Sequence, residues 1–176
     1  LQVGVNYAND YSDGVRGTDT RRVGPLRLTA TGAAPASAVR AAAITAFGVA
    51  AMAGGVLCLV VSPWLFLVGA AAIAAGVLYT GGPHPYGYSG LGELMVLVFF
   101  GYVATVGTTY VVAERLSAAA WWGATGVGLL AAALLLVNNI RDRETDAAVG
   151  KRTLAVRVGD RTSRVLYGVA AVGGVL

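Results

Sequence analysis

Residues 118–140 read AAAWWGATGVGLLAAALLLVNNI, and none of these 23 side chains is charged. A helix needs about 20 mainly apolar residues to cross the hydrocarbon core of a bilayer. This run is therefore long enough to span a membrane as a helix. It decides the fold class, because the same pattern recurs along the rest of the chain.

Other apolar stretches repeat this pattern on both sides of the run. Three are long enough, or nearly so, to span a bilayer, and two shorter ones predict partial spans. The complete candidates are 38–60, 62–80 and 91–112, and the partial ones are 1–13 and 164–176. The sequence thus predicts an all-α fold, a polytopic transmembrane helical bundle with about four complete and two partial spanning helices.

The composition supports a protein embedded in lipid. Hydrophobic residues make up 56% of the 176 residues and charged residues only 12%, whereas a soluble domain carries about 25% charged residues. The 25 glycines suit helices that approach one another closely in a membrane. A net charge of +4 does not indicate nucleic-acid binding, because apolar spans separate the charges. The single cysteine, Cys58, excludes a disulfide framework.

Charged side chains gather at one end of the predicted helices. If the helices alternate in direction, the polar segments 14–37, 81–90 and 141–163 lie on one side of the membrane. With the adjoining helix ends, they carry twelve of the thirteen Lys and Arg residues and eight of the nine acidic residues. The positive-inside rule assigns this side to the cytoplasm. We therefore expect any polar chemistry to take place at the cytoplasmic face.

The first acidic cluster lies where the segment 1–13 leaves the membrane. Asn9 and Asp13 are four residues apart, and Asp10 and Asp13 are three apart, so that these side chains share one face of a helix. Asp19 follows in the loop. Acidic residues beside a membrane span predict a functional site.

The second acidic cluster lies at the end of the run 118–140. Asn138, Asp142 and Asp146 follow at steps of four, which drift by only about 40° per step on a helix. Neighbouring carboxylates repel unless a cation lies between them, and such oxygen ligands suit Mg²⁺ bound with substrate phosphates. Cations near the two clusters would bind the remaining phosphate oxygens: Arg16, Arg21, Arg22, Arg27, Lys151 and Arg152. The spacing therefore predicts a magnesium and diphosphate site.

These charged residues also allow two alternatives to such a site. Aspartates near helix ends are often solvated caps, and basic residues in cytoplasmic loops satisfy the positive-inside rule without binding anything. A transporter would also use acidic residues, but its substrate sites lie near the bilayer midplane. The central parts of the four complete spans contain no Asp, Glu, Lys, Arg or His, which argues against transport.

Two motifs, NDYSDGVRGTD (9–19) and DRETD (142–146), resemble the paired aspartate-rich motifs of the UbiA superfamily of intramembrane prenyltransferases. NNIRDRETDAAVGKRTLAVRVG (138–159) and YTGGPHPYGYSGLGEL (79–94) are similar to its MenA branch, the 1,4-dihydroxy-2-naphthoate polyprenyltransferases. The resemblance implies a single domain with nine transmembrane helices around a central cavity. On this basis 1–176 would be incomplete at both ends, lacking the first helix and the last two. It also implies a bacterial plasma membrane.

The resemblance also implies roles for individual residues. The Mg²⁺ ligands, direct or through water, would be Asp10, Asp13, Asp19, Asp142 and Asp146, and all of these except Asp19 would be catalytic. The diphosphate-binding residues would be Asn9, Arg22, Arg27, Asn138 and Lys151. The implied reaction joins a polyprenyl group from polyprenyl diphosphate to 1,4-dihydroxy-2-naphthoate, releases CO₂ and diphosphate, and gives demethylmenaquinone. Another acceptor within the superfamily, such as a hydroxybenzoate, a homogentisate or a sugar phosphate, is the alternative.

The loop GGPHPYGY (81–88) lies on the same predicted face. Its prolines and glycines fix a non-helical backbone, which membrane proteins tolerate where it lines a cavity. Tyr86 and Tyr88 would stack on the naphthoate ring, and His84 would assist proton transfer. A packed turn with interfacial aromatic residues is the alternative.

Overall fold

The computed structural model describes residues 1–19 and 24–176, and the regular structure in these ranges is helical, without strands. The all-α prediction is confirmed. The described residues form seven helices: α1 (Gln2–Arg16), α2 (Ala36–Val60), α3 (Leu65–Thr80), α4 (Gly92–Ala113), α5 (Ala118–Arg141), α6 (Arg143–Ala148) and α7 (Leu154–Gly173). A short 3₁₀ turn at Tyr86–Ser89 precedes α4, and α4 is π-helical over Leu97–Val106.

Three helices, α2, α4 and α5, are long and apolar enough to cross a membrane. Their surfaces expose large apolar side chains, among them Leu59, Val112 and Trp122, as lipid-facing helices do. Helix α3 is also apolar but has only 16 residues, or about 24 Å of helix. These helices identify the chain as an integral membrane protein.

The segment 141–163, expected to be a polar connection, is largely helical. Helix α6 lies within it, and α7 begins at Leu154, ten residues before the predicted partial span at 164. Gly159 interrupts α7 with φ +81°, a backbone conformation that favours glycine. The Ser163 hydroxyl donates to the Gly159 carbonyl at 2.7 Å. The hydropathy pattern missed this helix because its first turns are polar.

The chain divides into two compact units, and the first is Leu1–Gly87. Small residues bring its three helices together. A Cβ on Gly4 would lie 2.8 Å from the Phe47 ring, and a Cβ on Gly76 would lie 2.6 Å from Val5. Helix α1 is followed by Gly17, whose φ of +71° and N–H bonds to the Asp13 and Gly14 carbonyls form a left-handed cap.

The second unit is Tyr88–Leu176. Helices α4 and α5 approach closely at Gly101 and Gly128, where a Cβ on either glycine would meet backbone atoms of the other. Helix α5 also approaches the end of α7 closely, where Gly126 lies next to Gly174, the residue that follows α7. Such contacts between small residues are typical of transmembrane helix packing.

Candidate active site

The first acidic cluster is buried at the end of α1. Asp10 is 5% exposed, Asp13 4% and Asp19 8%. Burying a carboxylate is costly unless it is hydrogen-bonded or paired. The partners of these groups therefore decide what the cluster can do.

Asp10 is bound by the backbone of the segment that follows the cluster. Its Oδ2 accepts from the Leu28 N–H and its Oδ1 from the Thr29 N–H, each at 2.8 Å. Both carboxylate oxygens thus receive a charge-assisted hydrogen bond. The i, i+3 spacing gave no indication of these partners, because they lie 18 and 19 residues further along the chain.

Asp19 and Arg27 form an ionic contact in this cluster, with 3.3 Å between Arg27 Nε and Asp19 Oδ2. Arg27 is one of the residues predicted to bind diphosphate, and the structure places it next to a predicted metal ligand. Arg22, the other arginine of this loop with that predicted role, lies outside the described residues.

Asn9 and Arg16 connect α1 to the end of α3. Asn9 Oδ1 accepts from the Thr80 hydroxyl at 2.8 Å. The Arg16 guanidinium donates to the carbonyls of Thr80 and Gly82, where it compensates the negative end of the helix dipole. Arg16, predicted from sequence as a phosphate ligand, thus caps a helix.

The second acidic cluster lies at a break between two helices, α5 and α6. Asn138 lies on α5, Asp142 is the junction with φ −89° and ψ 3°, and Asp146 lies on α6. The Asp142 N–H still bonds to the Asn138 carbonyl at 3.0 Å, and the Asp146 N–H to the Asp142 carbonyl at 2.8 Å. The three residues therefore keep the predicted steps of one helical turn.

Asp142 forms a bidentate ion pair with its neighbour. Arg141 Nε and Nη2 donate to Asp142 Oδ1 and Oδ2, each at 2.7 Å. Arg141 is exposed, so its side chain has room to turn away when another cation approaches the carboxylate.

Lys151 lies close to this cluster and is 8% exposed. Its N–H bonds to the Asp146 carbonyl at 2.9 Å, and its Nζ lies 4.8 Å from the centre of the Tyr88 ring. This distance is within the range of a cation–π contact. The Arg152 N–H donates to the Tyr88 carbonyl at 2.8 Å. A predicted diphosphate ligand and a predicted acceptor-binding ring are thus in contact.

The other two residues predicted to bind the acceptor differ in their surroundings. The Tyr86 hydroxyl donates to the Ala75 carbonyl at 2.8 Å, and its ring packs edge-on against Tyr79 at 5.5 Å. Burial raises the pKa of Tyr86 to about 12. His84 is exposed.

Glu93 has no site role among the predictions from sequence. It is 8% exposed, and its Oε1 accepts from Asn139 Nδ2 at 2.9 Å. Its Oε2 is buried without a hydrogen-bond partner among the described residues. Glu93 thus ties the start of α4 to the last turn of α5, beside Asn138. An acid beginning an apolar helix was the available signal, but it also fits a favourable interaction with the helix dipole.

The donor set fits Mg²⁺ when substrate supplies part of the coordination. In the described residues, no group of three or more Asp, Glu, His or Cys side chains is close enough to hold an ion. Mg²⁺ is typically held by one or two carboxylates, with water and substrate phosphates completing the octahedron. Each cluster offers carboxylates and an asparagine amide, which are the hard oxygen ligands that this ion requires.

The comparisons with known proteins agree with the motifs. A model of the UbiA prenyltransferase family matches residues 1–176. The chain is 53% identical to 1,4-dihydroxy-2-naphthoate octaprenyltransferase of Mycobacterium tuberculosis (strain H37Rv), over all of this chain and 61% of that protein. It is 37% identical to the Escherichia coli (strain K12) protein of the same name, over all of this chain and 59% of that protein.

A more distant relative is UbiA prenyltransferase domain-containing protein 1 of Gallus gallus, 32% identical over 93% of this chain and 50% of that protein. No solved structure matches the chain significantly. The chain spans about 60% of the length of the bacterial relatives named above. The resemblance predicted from the aspartate motifs is confirmed, and the chain belongs to the UbiA prenyltransferase family.

Proposed function

We propose that the protein containing this chain transfers a polyprenyl group from polyprenyl diphosphate to 1,4-dihydroxy-2-naphthoate. The observation that carries this proposal is the 53% identity, along the whole chain, to an enzyme named for that acceptor. The two aspartate clusters support it, because their ligands suit the diphosphate of the donor. We also propose that residues 1–176 form part of one prenyltransferase domain.

In the proposed reaction, one ring carbon forms a bond to the prenyl group and loses its bond to the carboxylate. The allylic C–O bond of the donor breaks, and its electron pair leaves with the diphosphate. The electron-rich ring carbon that bears the carboxylate then forms a bond to the prenyl cation. Loss of CO₂ returns an electron pair to the ring and restores its aromaticity, which gives the reduced form of demethylmenaquinone.

The roles that we propose for the two acidic clusters are those that the family motifs imply. Asp13, Asp19, Asp142 and Asp146 would hold Mg²⁺, and Asn9 and Asn138 would orient the metal or the diphosphate. When bound, Mg²⁺ supplies positive charge that stabilises the leaving diphosphate.

Arg27, Lys151 and Arg22 would bind diphosphate oxygens. Arg27 suits paired contacts through its planar guanidinium, and Lys151 acts as a point charge. Asp10 belongs to the same cluster, but its contacts with backbone N–H groups suit a different role.

The acceptor would bind near the loop 81–88. Tyr88, whose backbone carbonyl accepts from the Arg152 N–H, would stack its ring on the naphthoate. Tyr86 would contribute the edge of its ring, since its hydroxyl is already bonded to Ala75. His84, at an exposed position, would take a proton from a ring hydroxyl during the attack and return it after CO₂ has left. The distribution of basic residues supports an active site on the cytoplasmic face of a bacterial plasma membrane.

The experiment that tests the proposal is a product assay. Membranes containing the full-length protein would be supplied with a polyprenyl diphosphate, Mg²⁺ and carboxyl-labelled dihydroxynaphthoate. We expect prenylated product by mass spectrometry, an equal amount of labelled CO₂, and loss of both with EDTA. Parallel reactions with 4-hydroxybenzoate, homogentisate and a sugar phosphate serve as controls. Product from one of these, and none from the naphthoate, would reject the proposed acceptor.

A further inference from the structure

Asp10 binds the backbone of the segment that follows the first acidic cluster. Both of its oxygens accept backbone N–H groups, from Leu28 and Thr29, at 2.8 Å, and the side chain is almost fully buried. A carboxylate in this arrangement already receives strong hydrogen bonds in the absence of metal and substrate.

The backbone that Asp10 binds is the start of a single helical turn. The Thr31 N–H bonds to the Arg27 carbonyl at 3.1 Å, and the Gly32 N–H bonds to the Thr29 carbonyl at 3.2 Å. Leu28 and Thr29 therefore hold the positions whose N–H groups have no partner inside the turn. A carboxylate is the preferred acceptor there, because it satisfies the N–H groups and interacts favourably with their dipoles.

The turn at 27–32 also packs closely against Gly14, which lies four residues after Asp10 on α1. A Cβ at Gly14 would lie 2.5 Å from Thr29 Cβ and Cγ2, and 3.2 Å from the Ala30 nitrogen. Asp10 and Gly14 are four residues apart and share a helix face. The turn is thus held by two hydrogen bonds at Asp10 and packs against the bare backbone at Gly14.

We propose that Asp10 is a positioning residue that fixes the turn at 27–32 on α1, and that it does not bind Mg²⁺ directly. This turn begins at Arg27, whose Nε lies 3.3 Å from Asp19. By holding the N–H groups of the next two residues, Asp10 sets where the Arg27 side chain leaves the backbone. The proposal rests on the proposed function for the role of Arg27 towards diphosphate.

Direct Mg²⁺ binding at Asp10 would compete with these hydrogen bonds. Mg²⁺ requires near-ideal octahedral geometry at 2.0–2.1 Å, and the two fixed N–H groups restrict the directions from which it can approach either oxygen. Asp13 lies one helical turn from Asn9 on the same helix and is the α1 carboxylate that we assign to the metal.

The test compares Asp10→Ala and Asp10→Asn with Asp13→Asn in the full-length protein in detergent micelles. Amide hydrogen exchange of the peptide containing Leu28 and Thr29 is measured without Mg²⁺ and without substrate. We expect Asp10→Ala to lower the protection of these amides about tenfold or more. Asp10→Asn, which keeps one acceptor oxygen, gives a smaller loss, and Asp13→Asn leaves the protection unchanged.

Kinetics separate positioning from metal binding. We expect Asp10→Asn to raise the KM for polyprenyl diphosphate and to leave the half-saturating Mg²⁺ concentration within about twofold. Asp13→Asn raises the half-saturating Mg²⁺ concentration. Gly14→Ala keeps every carboxylate but displaces Thr29, so it reproduces the KM effect and the loss of protection.

Two results would overturn the role of Asp10. One is unchanged exchange at 28–29 in Asp10→Ala. The other is a rise in half-saturating Mg²⁺ in Asp10→Asn that equals that of Asp13→Asn. The hydrogen-exchange measurement does not depend on enzymatic activity. It therefore tests the role of Asp10 even if the proposed reaction is wrong. If Asp10→Ala does not fold, Asp10→Asn and Gly14→Ala provide the same comparison.

Discussion

Replacing Gly101 with alanine tests how closely α4 and α5 approach. The new Cβ would lie 2.7 Å from the Ala124 carbonyl oxygen and 2.8 Å from Gly128 Cα. Both are backbone atoms of a long helix and cannot rotate aside. The two helices must therefore move apart by about 0.7 Å to reach ordinary contact, and a gap of this size forfeits roughly a quarter to a half of each neighbouring van der Waals attraction.

We expect Gly101→Ala to lower the free energy of unfolding by about 1–3 kcal/mol, the usual cost of overpacking. Gly107→Ala in the same helix is the matched control, because a Cβ there has nothing within 4 Å. That substitution should be neutral or slightly stabilising, since alanine has the higher helix propensity. Unfolding in detergent micelles, followed by circular dichroism, measures both variants.

Equal stability of Gly101→Ala and Gly107→Ala would refute the close approach of α4 and α5. A low stability of both variants would instead show that replacing a glycine destabilises this helix even where the new Cβ meets no neighbouring atom. The prediction is independent of the proposed reaction, because it concerns only packing within the second unit.

The remaining predictions concern individual polar groups. Asp13→Ala and Asp146→Ala should each abolish prenyl transfer yet leave membrane insertion intact, as measured by product assay and membrane fractionation. Burial raises the pKa of Tyr86 from 10.0 to about 12, so stability should fall as pH rises from about 10 to 12, and the fall should be smaller in Tyr86→Phe. Glu93→Ala should cost about 1–3 kcal/mol, because Asn139 loses its acceptor, and Glu93→Gln should cost less in the same unfolding assay.

The transmembrane helices could be predicted from sequence because the signal is local. An uncharged run such as 118–140 needs no information from elsewhere in the chain to be recognised as a span. Helix α6 and the first turns of α7 contain no such uncharged run, and the sequence analysis missed them. Their polar composition resembles that of a loop, so that hydropathy does not mark them as helices.

The acidic clusters could be located from sequence, but their partners could not. A spacing of three or four residues shows that carboxylates share a face. This spacing does not distinguish a carboxylate that binds a metal from one that accepts hydrogen bonds from backbone N–H groups, as Asp10 does. The positive residues were equally ambiguous: Arg16 binds carbonyl groups at the end of α3, whereas Arg27 contacts an aspartate.

The partner of each aspartate also indicates how readily a metal can replace it. Arg141 is an exposed side chain bound to Asp142 by two hydrogen bonds, and it can rotate away when Mg²⁺ approaches. The N–H groups bound to Asp10 belong to a packed turn and cannot leave without disrupting it. A carboxylate that is paired with a mobile side chain is suited to bind a metal ion together with the substrate. A carboxylate that is hydrogen-bonded to backbone N–H groups is suited to fix the position of that backbone. By this reasoning Asp142 ranks above Asp10 as a metal ligand, although both belong to aspartate motifs of the same family.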